Sequence, residues 1–150
     1  MKNKDSVHTL SEIEKGKVIY TASVNTSGGR GEGISRSSDE KLNIRLSSPG
    51  SGGDGTNPEQ LFAAGWSACF ESAMATAAYK MKIRLPRDLS INAEVDLCLE
   101  EGEYTLQVRL NISLPGIERA VAEAIADAAH QICPYSKATR RNIDVQVNVV

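Results

Sequence analysis

Three cysteines, at positions 69, 98 and 133, are the side chains of this chain best suited to covalent chemistry. Cys69 lies inside NPEQLFAAGWSACF (57–70), a run with the look of a helix. Most helical cysteines are buried small hydrophobes, and a mid-helix position draws little from the dipole. A reactive thiolate at Cys69 therefore needs a cation nearby to hold it. Cys133 opens CPYSKATRRN (133–142) and follows a second helical run. The negative end of a helix raises a thiol's pKa, which makes Cys133 a poor first attacker but a reasonable partner for an oxidised sulfur. Cys98, in VDLCLE, has no basic neighbour in sequence and reads as a bystander.

Arg30, set between glycines in GGRGEG, is the candidate cation for Cys69. A glycine-flanked loop lets the backbone approach another element closely. Arg36 and Arg45 lie within strand patterns and are weaker candidates. Glu59 suits the first turn of a helix as an ordinary acid; its functional reading is as the group that orients Arg30 through a bidentate pair. Other chemistry finds no support. GWSAC lacks the second glycine of a nucleophile elbow. His8 and His130 are too few for a triad, and His130 with Cys133 has no second ligand pair at metal-binding spacing. GSGGDGT lacks the lysine of a phosphate loop.

The elements that must position these groups follow from pattern. Residues 1–16 are polar and read as frayed or loosely docked; residues 17–150 read as one domain. Val18, Tyr20, Ala22 and Val24 alternate as a half-buried strand. A glycine turn spans 27–31, a second strand is expected around 32–36, and Leu42, Ile44 and Leu46 mark a third. After the loop SSPGSGGDGT, Asn57 can cap a helix with Pro58 at its first position. Its alanines, Gly65 and Ser67 predict a thin, central, buried rod. Ile91 to Leu99 and Tyr104 to Ile112 alternate as a hairpin. A second helix runs from about Ile117 to Ile132, and Ile143 to Val149 make a last strand. The order predicts an α+β fold with mostly antiparallel sheets.

Composition excludes several classes. The 17 basic and 19 acidic residues nearly balance, so nothing suggests nucleic acid. The most apolar stretch, 61–79, carries Glu71 and reads as a buried helix rather than a membrane span. The start of the chain has no apolar signal core, which makes the cytosol the expected compartment. In a reducing compartment, a disulfide among three widely spaced cysteines is transient and catalytic rather than structural.

GTNPEQLFAAGWSACF and CPYSKAT together resemble the two cysteine-bearing segments of the Ohr/OsmC family, closer to its organic hydroperoxide resistance (Ohr) branch. GGRGEGISRSSDEKLNIRLSSPGSGG resembles the family's arginine loop, and NIDVQVNV also fits. The resemblance covers about residues 17–150. Trp66 stands where a tyrosine is expected and Arg141 where glycine is expected; the leading 16 residues exceed what the family needs.

The resemblance implies an OsmC-like intertwined homodimer, with sheets wrapped around central helices and sites at the dimer interface. It implies reduction of alkyl and fatty-acid hydroperoxides without metal, haem or flavin, and recycling by dihydrolipoyl groups such as dihydrolipoamide or a lipoylated protein. Carried onto this chain, Cys69 attacks the peroxide, Cys133 resolves the sulfenic acid, and Arg30 held by Glu59 stabilises the thiolate. Leu61, Phe62, Trp66 and Phe70 are candidates to line an apolar pocket, although core packing explains them equally well. A peroxide sensor or small-molecule-binding protein on the same fold, without turnover, is the alternative.

Helix geometry constrains the assembly. Glu59 and Cys69 are ten residues apart, about 15 Å along a continuous helix. An arginine and a glutamate side chain together reach about 10–11 Å. Either the helix breaks near Gly65, or Glu59 of one chain meets Cys69 of another across a two-fold axis. The second solution is favoured, with Arg30 and Glu59 from the same chain.

Overall fold

The computed structural model describes residues 16–150, so the expectation for the first fifteen residues lies outside the described residues. Two three-stranded sheets and four helices are present among them. The first sheet is an antiparallel meander of β1 (Val24–Ser27), β2 (Ile34–Ser37) and β3 (Asn43–Arg45). The strand expected from Lys17 is much shorter. β2 is only four residues long, so the chain before Val24 runs past its end and finds no ladder; Val18, Ile19 and Tyr20 are exposed, Ile19 at 91%. The glycine turn contains a single helical turn, α1 (Gly29–Glu32), which carries Arg30. Gly28 adopts φ 79°, and a side chain at Gly33 would collide with the Gly29 carbonyl oxygen. Glycine on both sides is therefore what lets this turn close so tightly.

α2 (Pro58–Lys80) begins as its sequence predicts: the Asn57 Oδ1 accepts the Gln60 N–H at 2.9 Å, and Pro58 takes the first helical position. The helix is continuous past Gly65. It buries one face only, through Trp66, Phe70, Ala73, Met74, Ala77 and Ala78. Within one chain its other side is open: Ala64, Ala68, Ser72, Ala75 and Tyr79 form an exposed stripe, with Tyr79 84% exposed. Burying Phe70 and Met74 contributes about 2–3 kcal/mol each to holding the inner face.

That face lies on the second sheet, β4 (Ser90–Glu100), β5 (Glu103–Ser113) and β6 (Asp144–Val149), and beside α3 (Arg119–Ile132). β4 and β5 form the expected hairpin in full register from Ser90↔Ser113 to Glu100↔Glu103. Its two-residue tip, Glu101-Gly102, has both φ positive (50° and 87°), the turn that matches strand twist. β6 pairs with β5 in parallel. Val108, Leu110 and Ile112 point inward at period two, while Arg109 on the outer face bridges Glu94 and Asp96. α3 contributes Ala122, Ile125, Ala126 and Ala129 at helical spacing. A short further helix, α4 (Pro134–Thr139), follows at once and was not expected from the sequence.

The architecture is α+β, with mostly antiparallel sheets and central helices typical of the OsmC-like fold. No helix among the described residues is long and apolar enough to cross a membrane.

Candidate functional site

Cys69 and Cys133, far apart in sequence, are brought together by the packing of α2 against the α3–α4 junction. Their thiols are in hydrogen-bonding contact and near disulfide distance, with both cysteines free. Cys69 is half-buried on α2, and Cys133 is fully buried. Cys133 closes α3, its N–H reaching the Ala129 carbonyl at 2.8 Å, and also caps α4, its carbonyl accepting the Lys137 N–H at 3.0 Å. It therefore sits between a negative and a positive helix end rather than at a negative end alone.

The electrostatics of Cys69 are divided. Burial pushes its thiol up from the ordinary value; the Tyr135 backbone N–H pulls it down by bonding the thiolate; the contact with Cys133 raises it further. The net direction is up. Gly65 makes room for the Tyr135 side chain: a Cβ there would lie 2.9 Å from its hydroxyl oxygen. The Tyr135 ring stacks on Trp66 at 6.4 Å and tilts against Phe62 at 6.1 Å.

Arg30 and Glu59 meet elsewhere. The Arg30 Nη2 donates to the Glu59 Oε2 at 2.6 Å, a single contact rather than a bidentate pair. Glu59 is largely covered, its side chain 15% exposed. The pair sits in the first turn of α2, ten residues before Cys69 on an unbroken helix. It borders an open cavity of about 720 Å³ whose apolar wall is Ala63, Ala93, Val95, Leu97 and Tyr104, and neither cysteine lines that cavity.

The four side chains considered for an apolar pocket divide. Trp66 and Phe70 have no exposed surface and are core residues. Leu61 and Phe62 are half-buried, and Phe62 packs edge-on to Trp66 at 5.5 Å. Cys98 lies on the outer face of the second sheet opposite Thr105, on the side that carries Glu94 and Asp96. Among the described residues no group of three or more His, Cys, Asp or Glu is placed to hold a metal ion.

Three features near the cysteines escaped the sequence reading. They are the Tyr135 N–H, the Ser136 side chain and the contact at 3.0 Å between Ser136 and His130, a residue weighed from the sequence only for a triad or a metal. Pro134 directly after Cys133 was the available signal, since proline at a first helical position announces a new helix.

The profile of the OsmC-like protein family matches residues 50–148. An organic hydroperoxide resistance protein of Xanthomonas axonopodis pv. citri is 48% identical over 137 residues, spanning 89% of this chain and 96% of its own. The organic hydroperoxide resistance protein OhrA of Bacillus subtilis is 40% identical over 138 residues, spanning 87% of this chain and 96% of its own. The crystal structure of OhrB of Bacillus subtilis superposes with a TM-score of 0.83 at 38% identity, covering 89% of this chain and all of OhrB. A thiol pair poised to form a disulfide, on this fold and with these relatives, places the chain in the Ohr/OsmC family, closely related to the organic hydroperoxide resistance proteins.

Proposed function

We propose that this protein is a cysteine-based peroxidase that reduces organic hydroperoxides to alcohols. The observation that carries the reading is the contact between Cys69 and Cys133 in a chain of this family. In the proposed reaction the Cys69 thiolate attacks the outer peroxide oxygen. The O–O bond breaks, the alkoxide takes a proton and leaves as alcohol, and Cys69 becomes a sulfenic acid. Cys133 then attacks the Cys69 sulfur; the S–O bond breaks, water leaves with the Cys133 proton, and a disulfide forms. A dithiol reduces that disulfide by exchange, and dihydrolipoamide or a lipoylated protein is the proposed donor.

The cation for Cys69 is proposed to come from a second copy. Arg30 is engaged with Glu59 about 15 Å along α2 from Cys69, and the Cys69 thiol is raised rather than lowered without it. In a two-fold dimer, Arg30 and Glu59 of one chain would stand over the cysteine pair of the other. The exposed stripe of α2 and the exposed Val18, Ile19 and Tyr20 supply apolar surface for such a homodimer. Ala63, Val95, Leu97 and Tyr104, beside Arg30, are candidates to receive the organic tail.

The deciding experiment is steady-state turnover of cumene hydroperoxide, a fatty-acid hydroperoxide and hydrogen peroxide, each with dihydrolipoamide, thioredoxin or glutathione. The expected result is a higher kcat/KM for the organic peroxides, with dihydrolipoamide as the efficient donor. A preference for hydrogen peroxide overturns the substrate class, and efficient recycling by thioredoxin alone overturns the donor. A reversible 69–133 disulfide without turnover would leave a peroxide sensor instead.

A further inference from the structure

Behind the two cysteines lies a buried polar chain that the proposed reaction does not use. The Trp66 Nε1 meets the Ser136 Oγ at 3.3 Å, and the same Oγ meets the His130 Nδ1 at 3.0 Å. Ser136 and Trp66 have no exposed surface. Each member is three residues from a cysteine: Trp66 precedes Cys69, His130 precedes Cys133, and Ser136 follows Cys133. This chain of bonds ties α2, the end of α3 and the first turn of α4 together, with Cys133 the residue that joins α3 to α4.

Chemistry sets the direction of the bonds. An indole N–H can only donate, so the Ser136 oxygen accepts from Trp66. The single hydroxyl hydrogen of Ser136 is then free to point at the His130 Nδ1 when the imidazole is neutral with its proton on Nε2, the tautomer this arrangement favours. Its surroundings agree. Burial pushes the His130 pKa down, and Arg140 adds to the fall, against a smaller opposing pull from Asp127. From α2 it faces the Phe70 ring, 6.4 Å away between centroids. Arg140, at the end of α4, also donates to the His130 carbonyl at 2.8 Å. A proton on Nδ1 would turn that atom into a donor and leave the buried Ser136 hydroxyl hydrogen without its acceptor, a costly arrangement.

We propose that Trp66, Ser136 and neutral His130 form a clamp that positions Cys133 against Cys69, so that disulfide closure, rather than the first attack on the peroxide, depends on it. The inference rests on the reading of Cys69 and Cys133 as a redox pair. Ser136 and His130 touch no reacting atom in it; they act through the position of Cys133 and are positioning residues. When His130 is protonated, the clamp loosens and closure slows.

The test separates the two steps by quenched flow. Sulfenic acid at Cys69 is trapped with dimedone after cumene hydroperoxide, and disulfide closure is followed by thiol alkylation and mass spectrometry. Closure is also driven by diamide, which takes two electrons and two protons from the thiol pair and needs no peroxidase activity. In Ser136→Ala and His130→Leu, closure is expected to slow at least about tenfold with either oxidant, while sulfenic acid formation stays within about twofold. His130→Asn keeps an acceptor near the Nδ1 position and does not titrate, so it should restore closure to within about threefold. The ratio of wild-type to His130→Asn closure rates should fall as the pH drops below the ordinary imidazole value and His130, held below it by burial, takes up its proton. Unchanged closure in Ser136→Ala overturns the proposal, as does equal slowing of both steps together with a lowered Tm, or a pH-independent ratio. If the wild type closes with diamide but turns over no peroxide, the peroxidase reading fails while the clamp is still judged on its own rates.

Discussion

Cys69 lies in the middle of a 23-residue helix, where the dipole gives its thiolate little help, and burial works against ionisation. The Tyr135 N–H is the compensating group within the same chain. The proposed roles fit this asymmetry: Cys69 is half-buried, and Cys133 is buried. Cys69→Ser is therefore expected to lower peroxide turnover to the uncatalysed background. Cys133→Ser should consume about one equivalent and then stall as sulfenic acid or overoxidise, which intact-mass spectrometry resolves. Normal turnover in Cys69→Ser would remove the assignment. Cys98→Ser should leave kcat/KM within about twofold, since its side chain is on the opposite face of the sheet from the core. Another residue-scale expectation concerns Arg141, which holds φ 62° where glycine would be at ease. The left-handed conformation costs an ordinary residue about 1–2 kcal/mol, and the added freedom of glycine in the unfolded chain offsets part of that. Arg141→Gly should stabilise the fold by about 0.5–1 kcal/mol in denaturant titrations; a lower midpoint would mean that the arginine side chain makes up for the strain.

Among the elements, α2, α3 and α4 meet where the cysteines do, and His130 is the titratable group at that junction. The folded chain prefers its neutral imidazole, so His130 titrates below the ordinary value of about 6.5. As pH falls through about 6.5 the unfolded chain takes up a proton that the folded chain does not, and stability drops. The contribution is complete above that value and is lost progressively below it, until the folded imidazole also protonates. Urea midpoints measured between about pH 7.5 and 5.5 should fall further for the wild type than for His130→Asn. Equal falls would show that the junction is indifferent to the charge of His130.

At the scale of the whole molecule, the Arg30–Glu59 pair beside its open cavity and the Cys69–Cys133 pair stand apart along α2. The proposed two-fold dimer would join them twice over. If the site is shared, mixing inactive Cys69→Ser chains with inactive Glu59→Ala chains gives heterodimers with one complete site, because the intact Cys69 and the intact Glu59 lie on different chains. Random exchange should then recover about one quarter of wild-type activity. No recovery, with subunit exchange verified by mass spectrometry, would place the whole site in one chain, as would full activity in a monomer by light scattering.

Local chemistry made much of this protein legible from its sequence. Asn57-Pro58-Glu59 announces the start of α2 because cap, proline and dipole preferences act within one turn. The hairpin is legible because period-two alternation and the Glu101-Gly102 tip are also local. The spacing of Glu59 and Cys69 on a continuous helix could be worked out before any coordinates, but a break near Gly65 stayed open until the structure showed α2 unbroken. The rest depended on contacts between residues distant in sequence. Alternation at Val18 and Tyr20 predicts a strand, but a strand needs a ladder partner, and within one chain β2 ends too soon to provide it. Alanine and glycine along α2 predict a central, buried helix, yet small residues suit a packed face and an open one equally, and only the placement of α3 and the second sheet decides which face is which. The contact of Cys69 with Cys133, the Tyr135 N–H aimed at Cys69, and the Trp66–Ser136–His130 chain all form across the α2–α4 boundary. No local pattern encodes such a boundary, because it is set by how two separately formed helices settle into a common core.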